Sequence, residues 1–149
     1  MNSPYKGLAI AISINAVLMF IITYAMIDTV DHFYANINRA YMAIMMTAPM
    51  IVVMLIVMRS MYQNRRLNII IHIGAILLFI VSFSLARSQT PIGNVQFLRS
   101  MIPHHSSAVL MCEQSSITDP EIIDLCGQIV ETQINEINQM KDILQRINK

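Results

Sequence analysis

The residues best suited to chemistry lie between positions 101 and 112, in the run MIPHHSSAVLMC. This run holds two thioethers, two adjacent imidazoles and a thiol in a segment compatible with a helix. Soft metal ions prefer such side chains, and copper(I) prefers them above all. The run therefore predicts a metal-binding function. The role of that function depends on which elements position the run and on which side of a membrane they lie.

Most of the chain is too apolar for an ordinary soluble domain, since 55% of its 149 residues are hydrophobic and 13% are charged. Three apolar runs each approach the roughly 20 residues that cross a bilayer as a helix. They predict transmembrane helices at about 7–27, 41–61 and 67–85 in a membrane domain that covers residues 1–87. The first run is longer than a signal-peptide core and lacks a clear cleavage site, so we expect it to be retained.

The charges between the apolar runs predict an orientation in the lipid bilayer. Arg59, Arg65 and Arg66 lie between the second and third runs, whereas Asp28 and Asp31 lie between the first and second. By the positive-inside rule, we expect a bacterial inner-membrane protein with a cytoplasmic amino terminus. Three spans then send the carboxy-terminal region to the periplasmic side.

The composition also excludes several classes of function. A net charge of +1 without a basic run gives no case for nucleic-acid binding. The chain has no glycine-rich phosphate loop, no Gly-x-Ser-x-Gly motif and no His-Glu-x-x-His motif. We therefore expect a binding protein and not an enzyme.

Beyond the membrane domain, residues 88–93 read as a linker and residues 94–149 as a helical domain. Two helical segments, about 94–116 and 120–147, are joined by a turn that suits a helix start. Thr118 with Glu121 fits a capping box, and Asp119 could cap instead. So short a joint requires an antiparallel hairpin, and the predicted fold class is all-α.

The hairpin register predicts which side chains meet. The second helical segment carries a four-three seam that is typical of helix pairs. The seam consists of Cys126, Val130, Gln133, Ile137, Met140, Leu144 and Ile147. For a turn near 118–119, facing positions place Cys112 near Cys126, His105 near Gln133, and Met101 near Glu136 and Met140.

These residues form a recognisable double motif. Met101-Ile-Pro-His104-His105-x-x-Ala108-x-x-Met111, followed by Gln133-x-x-Glu136-Ile137-x-x-Met140, closely resembles the family called domain of unknown function 305. Its members are described as ferritin-like helical proteins, and some are periplasmic copper binders. The three-span leader looks like that of the membrane-bound bacterial members. The resemblance implies these metal ligands or near neighbours: Met101, His104, His105, Met111, Glu136 and Met140.

The chain departs from the soluble ferritin-like members, which build a four-helix bundle, because it has one hairpin outside the membrane. We expect this half-bundle to be completed by dimerisation, which makes the protein a homo-oligomer. The Glu-x-x-His signature of di-iron bundles is absent, so iron oxidation is not implied.

Several roles stay open at the level of sequence. Glu136 is either a ligand or a group that orients a histidine, and Gln133 fits the orienting role better. Cys112 and Cys126 suit a disulfide in an oxidising compartment, and the alternatives are a copper(I) thiolate pair or a thiol switch. Asp28, Asp31 and His32 beside the hairpin are a candidate accessory site, and His72 near the predicted cytoplasmic end of the third span is a separate candidate.

The function predicted from the sequence is copper binding by the extramembrane hairpin, for sequestration, tolerance or hand-over to a metal-transfer protein. Two alternatives belong to other classes. One is an interaction module whose hairpin oligomerises without metal. The other is a metal-dependent redox enzyme such as a metal oxidase, which requires an open coordination position.

Overall fold

A computed structural model describes residues 4–148, and the predicted all-α fold class is confirmed because this part of the chain contains helices and no strand. The helices are α1 (Pro4–Ile22), α2 (Ile37–Val57), α3 (Arg65–Ser88), α4 (Asn94–Gln114) and α5 (Pro120–Ile147), with a short 3-10 turn at Val30–His32. The chain divides into two compact units. The first comprises residues up to Thr23 together with Asn38–Pro91, and the second comprises Tyr24–Ile37 and residues from Ile92 onward.

The first unit contains the three helices that are long and apolar enough to span a membrane. They have 19, 21 and 24 residues, which corresponds to roughly 28, 31 and 36 Å at 1.5 Å per residue. The helix α2 begins at Ile37, about four residues before the predicted span, and ends at Val57. Hydropathy marks the apolar run, but the backbone becomes helical before that run begins.

Buried residues from all three helices meet in the first unit. Its buried cluster consists of Leu8, Ile51, Leu55, Tyr62 and Ala75. At the start of α3, the side chain of Asn64 caps the helix by accepting a hydrogen bond from the backbone N–H of Leu67. Tyr5 also donates its hydroxyl to Asn68 Oδ1 at 2.9 Å. Most side chains of these helices remain exposed, as lipid-facing side chains would be.

The second unit is an antiparallel pair, α4 and α5, together with residues 24–37, which we call the strap. The two helices pack through a buried cluster made of Leu98, Ile102, Ile137, Met140 and Leu144. Asp119 caps α5, because its carboxylate accepts from the backbone N–H groups of Glu121 and Ile122. Of the two caps that the sequence left open, the structure uses the aspartate.

Pro103 lies inside α4, and the helix continues through it. Proline has no N–H, so the carbonyl of Arg99, four residues earlier, loses its helical partner. The side-chain amide of Asn36 in the strap donates to this carbonyl at 3.2 Å. Asn36 is itself buried and donates to the carbonyl of Tyr34 as well. A backbone acceptor freed by proline is thus satisfied by the strap.

We expect Ile137→Ala to lower the free energy of unfolding of the second unit by about 2–5 kcal/mol, because Ile137 is only 1% exposed and its loss leaves a cavity. Urea unfolding of the full chain in mild detergent, followed by circular dichroism, measures this change. The matched control is Ile134→Ala, at a side chain 41% exposed on the same helix, which should cost less than about 0.5 kcal/mol. Equal effects of the two substitutions would contradict the packing described here.

Candidate metal centre

His105 is the buried histidine of the predicted pair, and both of its ring nitrogens have partners. Nδ1 lies 3.0 Å from the carbonyl oxygen of Met101, one turn earlier in α4. A carbonyl oxygen can only accept, so Nδ1 carries a proton and donates it. Nε2 lies 2.8 Å from Oε2 of Glu136 on α5. Two lone pairs would repel at that distance, so one proton lies between these atoms.

The hydrogen-bond partner of His105 is Glu136, although the register of the turn places Gln133 nearest to His105. The reason is the direction of helical side chains, which lean toward the amino terminus of their own helix. In an antiparallel pair, His105 therefore leans away from the turn, whereas Glu136 leans toward it. The two meet although their Cα positions are offset by about one turn. Gln133 is half-buried and has no hydrogen bond to His105.

The remaining predicted ligands are divided between two locations. Met140 is buried in the cluster between α4 and α5, and Met101 packs against it. His104 and Met111 are exposed instead. At about 100° per residue, His104 points roughly 160° away from Ser106, which faces the strap. The open side of the hairpin thus carries His104 and Met111, while the imidazole of His105 lies between the helices.

Cys112 and Cys126 are joined in a disulfide, with their Cα atoms 5.3 Å apart. This is the pair that the hairpin register predicts, and no free cysteine is present in the chain. In the oxidised state the two sulfurs are bonded to each other. The thioethers, the imidazoles and the carboxylate of Glu136 are then the side-chain donors available to a metal ion.

The candidate accessory residues have other partners in the strap. The backbone N–H of Asp28 donates to Ser106 Oγ at 2.7 Å, and Nδ1 of His32 lies 2.9 Å from the same oxygen. Asp31 forms an ion pair with Lys141 of α5. Ser106 is fully buried and is the residue that sequence reasoning missed. No local pattern distinguishes it, because its partners lie more than 70 positions earlier in the chain.

His72 belongs to α3 of the first unit, whereas the strap belongs to the second unit. Its Nδ1 donates to the carbonyl of Asn68, 2.7 Å away in the preceding turn. Within residues 4–148, no group of three or more His, Cys, Asp or Glu side chains is arranged to hold a metal ion.

The strap also has distinct electrostatics. Burial lowers the pKa of His32, and the nearby positive charge of Lys141 lowers it further, while Asp31 and Asp28 oppose the change. The hydrogen bond and the charge of Lys141 hold the pKa of Asp31 below its usual value. The imidazole of His32 is thus favoured in its neutral form, and its Nδ1 shares a hydrogen bond with the hydroxyl of Ser106.

Comparison with known proteins identifies the family. The sequence model described as "Domain of unknown function (DUF305)" matches residues 84–146. An uncharacterized protein of Acanthamoeba polyphaga mimivirus is 36% identical over 111 residues, which are 73% of this chain and 71% of that protein. The chain belongs to the DUF305 family. The DUF305 match covers α4 and nearly all of α5, and it leaves out the strap. No solved structure matches the chain.

We expect acidification to weaken the attachment of the strap. Because the pKa of His32 in the folded protein lies below the ordinary value of 6.5, the unfolded chain binds more protons between those two values. The contribution of neutral His32 to the free energy of unfolding is fully present above pH 6.5, and it is lost as the pH falls through the pKa of His32 in the folded protein. Urea unfolding of the full chain at pH 7.5 and 5.5 measures the loss.

The control for this prediction is His32→Asn, which can still hydrogen-bond to Ser106 but does not titrate. This variant should show a smaller loss of stability between pH 7.5 and 5.5 than the unmodified chain. Asp31 does not contribute in that interval, because its lowered pKa keeps it ionised there. Identical losses in the two proteins would show that His32 is not the titrating group.

Proposed function

We propose that this protein binds copper(I) at its α4–α5 hairpin and that it stores the ion, confers tolerance to it or passes it to a metal-transfer protein. The observation that carries the proposal is the orientation of His105. The carbonyl of Met101 fixes the proton on Nδ1, so Nε2, which faces Glu136, is the ring nitrogen that would bind a metal ion. Metal-bound histidines are commonly held through their other nitrogen in this way.

The donor atoms suit a soft or borderline ion. Nε2 and Oε2 are 2.8 Å apart, and two ligands of one tetrahedral ion, each about 2.0–2.1 Å from it, are separated by about 3.4 Å. A shift of roughly half an ångström would therefore admit an ion in place of the proton. The thioethers of Met101 and Met140 come from the same packed cluster and favour copper(I).

Glu136 has two possible roles in this proposal, since its carboxylate either binds the ion or accepts a hydrogen bond from a ligand. Its side chain is 46% exposed, so it can turn away from His105 when an ion enters. His104 and Met111 lie on the open side of α4, where they can complete the coordination of the ion. The proposed role is binding, without turnover.

The proposed location is a bacterial inner membrane with the hairpin on the periplasmic side. Three helices able to span a membrane and the arginines at positions 59, 65 and 66 support this orientation. The Cys112–Cys126 disulfide supports an oxidising compartment for the hairpin, because such bonds are rare in the cytosol.

We expect the double substitution His104→Ala/His105→Ala to abolish stoichiometric copper(I) binding. Competition between the full chain in mild detergent and a chromogenic copper(I) chelator measures this loss. Glu136→Gln should weaken binding by about 10–100-fold, because a partner of a metal-bound imidazole is lost. Glu131→Gln on the exposed side of α5 is the matched control and should leave the affinity unchanged. Full affinity in the double variant would end the proposal.

We also propose that a second copy of the chain completes the bundle. The open side of α4 carries a stripe at four-three spacing, made of Phe97, Met101, His104, Ala108 and Met111. Phe97 is 50% exposed and Met111 is 57% exposed, although both are large and apolar. Four-three spacing is how like helices pack, and two antiparallel hairpins make a four-helix bundle. The strap covers the other side of α4, which leaves this stripe for the second copy.

We expect Phe97→Asp to convert a dimer into a monomer, because it buries a carboxylate in the proposed interface. Analytical ultracentrifugation of the full chain in mild detergent measures the mass of the protein component. Val30→Asp is the control, since Val30 is 87% exposed in the strap and lies outside the stripe. A monomeric unmodified chain would contradict the dimer, and so would a Phe97→Asp variant that remains dimeric.

A further inference from the structure

The Cys112–Cys126 disulfide borders an open cavity at the tip of the hairpin. The cavity has a volume of about 320 Å³, within the range of small-molecule sites. Both cysteines belong to its lining and both are half-buried, so the sulfur pair is next to solvent-filled space and outside the packed core. The other lining residues are Ser115, Ile117, Ile123, Gly127 and Val130.

The tip that contains this disulfide has no core of its own. From position 110 to position 136, across the end of α4 and the first half of α5, not one residue is buried. The buried cluster lies at the other end of the pair, around Ile102 and Ile137. The disulfide is therefore the main connection between the two helices over this half of the hairpin.

From these two observations we propose that Cys112–Cys126 is a reversible thiol–disulfide exchange site for a dithiol reductant. One thiolate of the reductant attacks a sulfur of the pair, which breaks the Cys112–Cys126 bond and forms a mixed disulfide. The second thiol of the reductant then displaces the protein sulfur. The protein gains two electrons and two protons as two thiols, and the reductant leaves as its own disulfide.

Reduction opens only the tip, because the base of the hairpin keeps its buried cluster. Helix α4 then frays beyond Val109, and α5 frays in the turns before Glu136, which His105 continues to hold. Ile123, which lines the cavity, lies on the same face of α5 as Lys141, and Lys141 contacts the strap. The cavity is therefore on the strap side of α5, away from the stripe proposed for a second copy. The proposal therefore rests neither on dimerisation nor on metal binding.

The first test uses dithiothreitol on the full chain in mild detergent, with and without urea, followed by capture of the thiols with a maleimide. We expect reduction without urea to proceed within about tenfold of the rate in urea, as for a disulfide open to solvent. Removal of the reductant and addition of oxidised glutathione should restore the bond, with two glutathione thiols released for each disulfide formed. Reduction that requires urea, or a bond that does not form again, would overturn the proposal.

The second test measures amide hydrogen exchange of the oxidised and reduced chains. Exchange should become faster in residues 110–135 on reduction, while residues 98–105 and 136–144 keep their protection. The double variant Cys112→Ser/Cys126→Ser is the matched control and should show the reduced pattern without any reductant. An unchanged tip would refute the opening, and an equal loss of protection at the base would show that the disulfide supports the whole hairpin.

Discussion

The packing of Leu98 and Ile102 on Ile137, Met140 and Leu144 is the interaction on which the rest of the second unit depends. This cluster fixes how far α5 is offset along α4, and every other pairing follows from that offset. It places one cysteine opposite the other and His105 within reach of Glu136. Unreactive apolar contacts thus determine which reactive side chains of the hairpin lie next to each other.

A cluster of five buried side chains is small for a unit of this length, and the unit has two further supports. The disulfide restrains the tip, as in other small domains with limited cores. The strap supports the base through polar groups that would be costly to bury without partners. Asn36 and Ser106 are both buried, and the hydrogen bonds of each connect the strap to α4.

The parts of the structure that the sequence allowed us to predict are those encoded by local periodicity. Apolar length indicated three candidate spans, four-three spacing indicated the face of α5 that is buried, and the short joint indicated an antiparallel pair. Turn register alone could not give the partner of His105, because it counts Cα positions and ignores the lean of side chains. It places Gln133 nearest to His105, whereas the lean of the side chains on both helices favours a hydrogen bond from His105 to Glu136.

The strap could not be predicted as part of the hairpin unit for a different reason. Its contacts with the hairpin join residues 59 to 110 positions apart, and they depend on single hydrogen bonds that leave no periodic signal. Asp28, Asp31 and His32 stand out in the sequence because their side chains are ionisable. In the structure they serve mainly to attach the strap, with Ser106 and Lys141 as their partners.

Pro103 has a consequence for how this unit can be handled. The proline leaves the helix one donor short, and the missing donor is supplied by Asn36, a residue that precedes α2 in the chain. A fragment that begins at Ile92 would therefore contain both helices and still have an unsatisfied carbonyl at Arg99 and an unpartnered Ser106. The family match at residues 84–146 marks the recognisable part of the sequence. The segment needed for an independently folding unit is therefore discontinuous in sequence, because it includes the strap, which lies between the first two apolar helices.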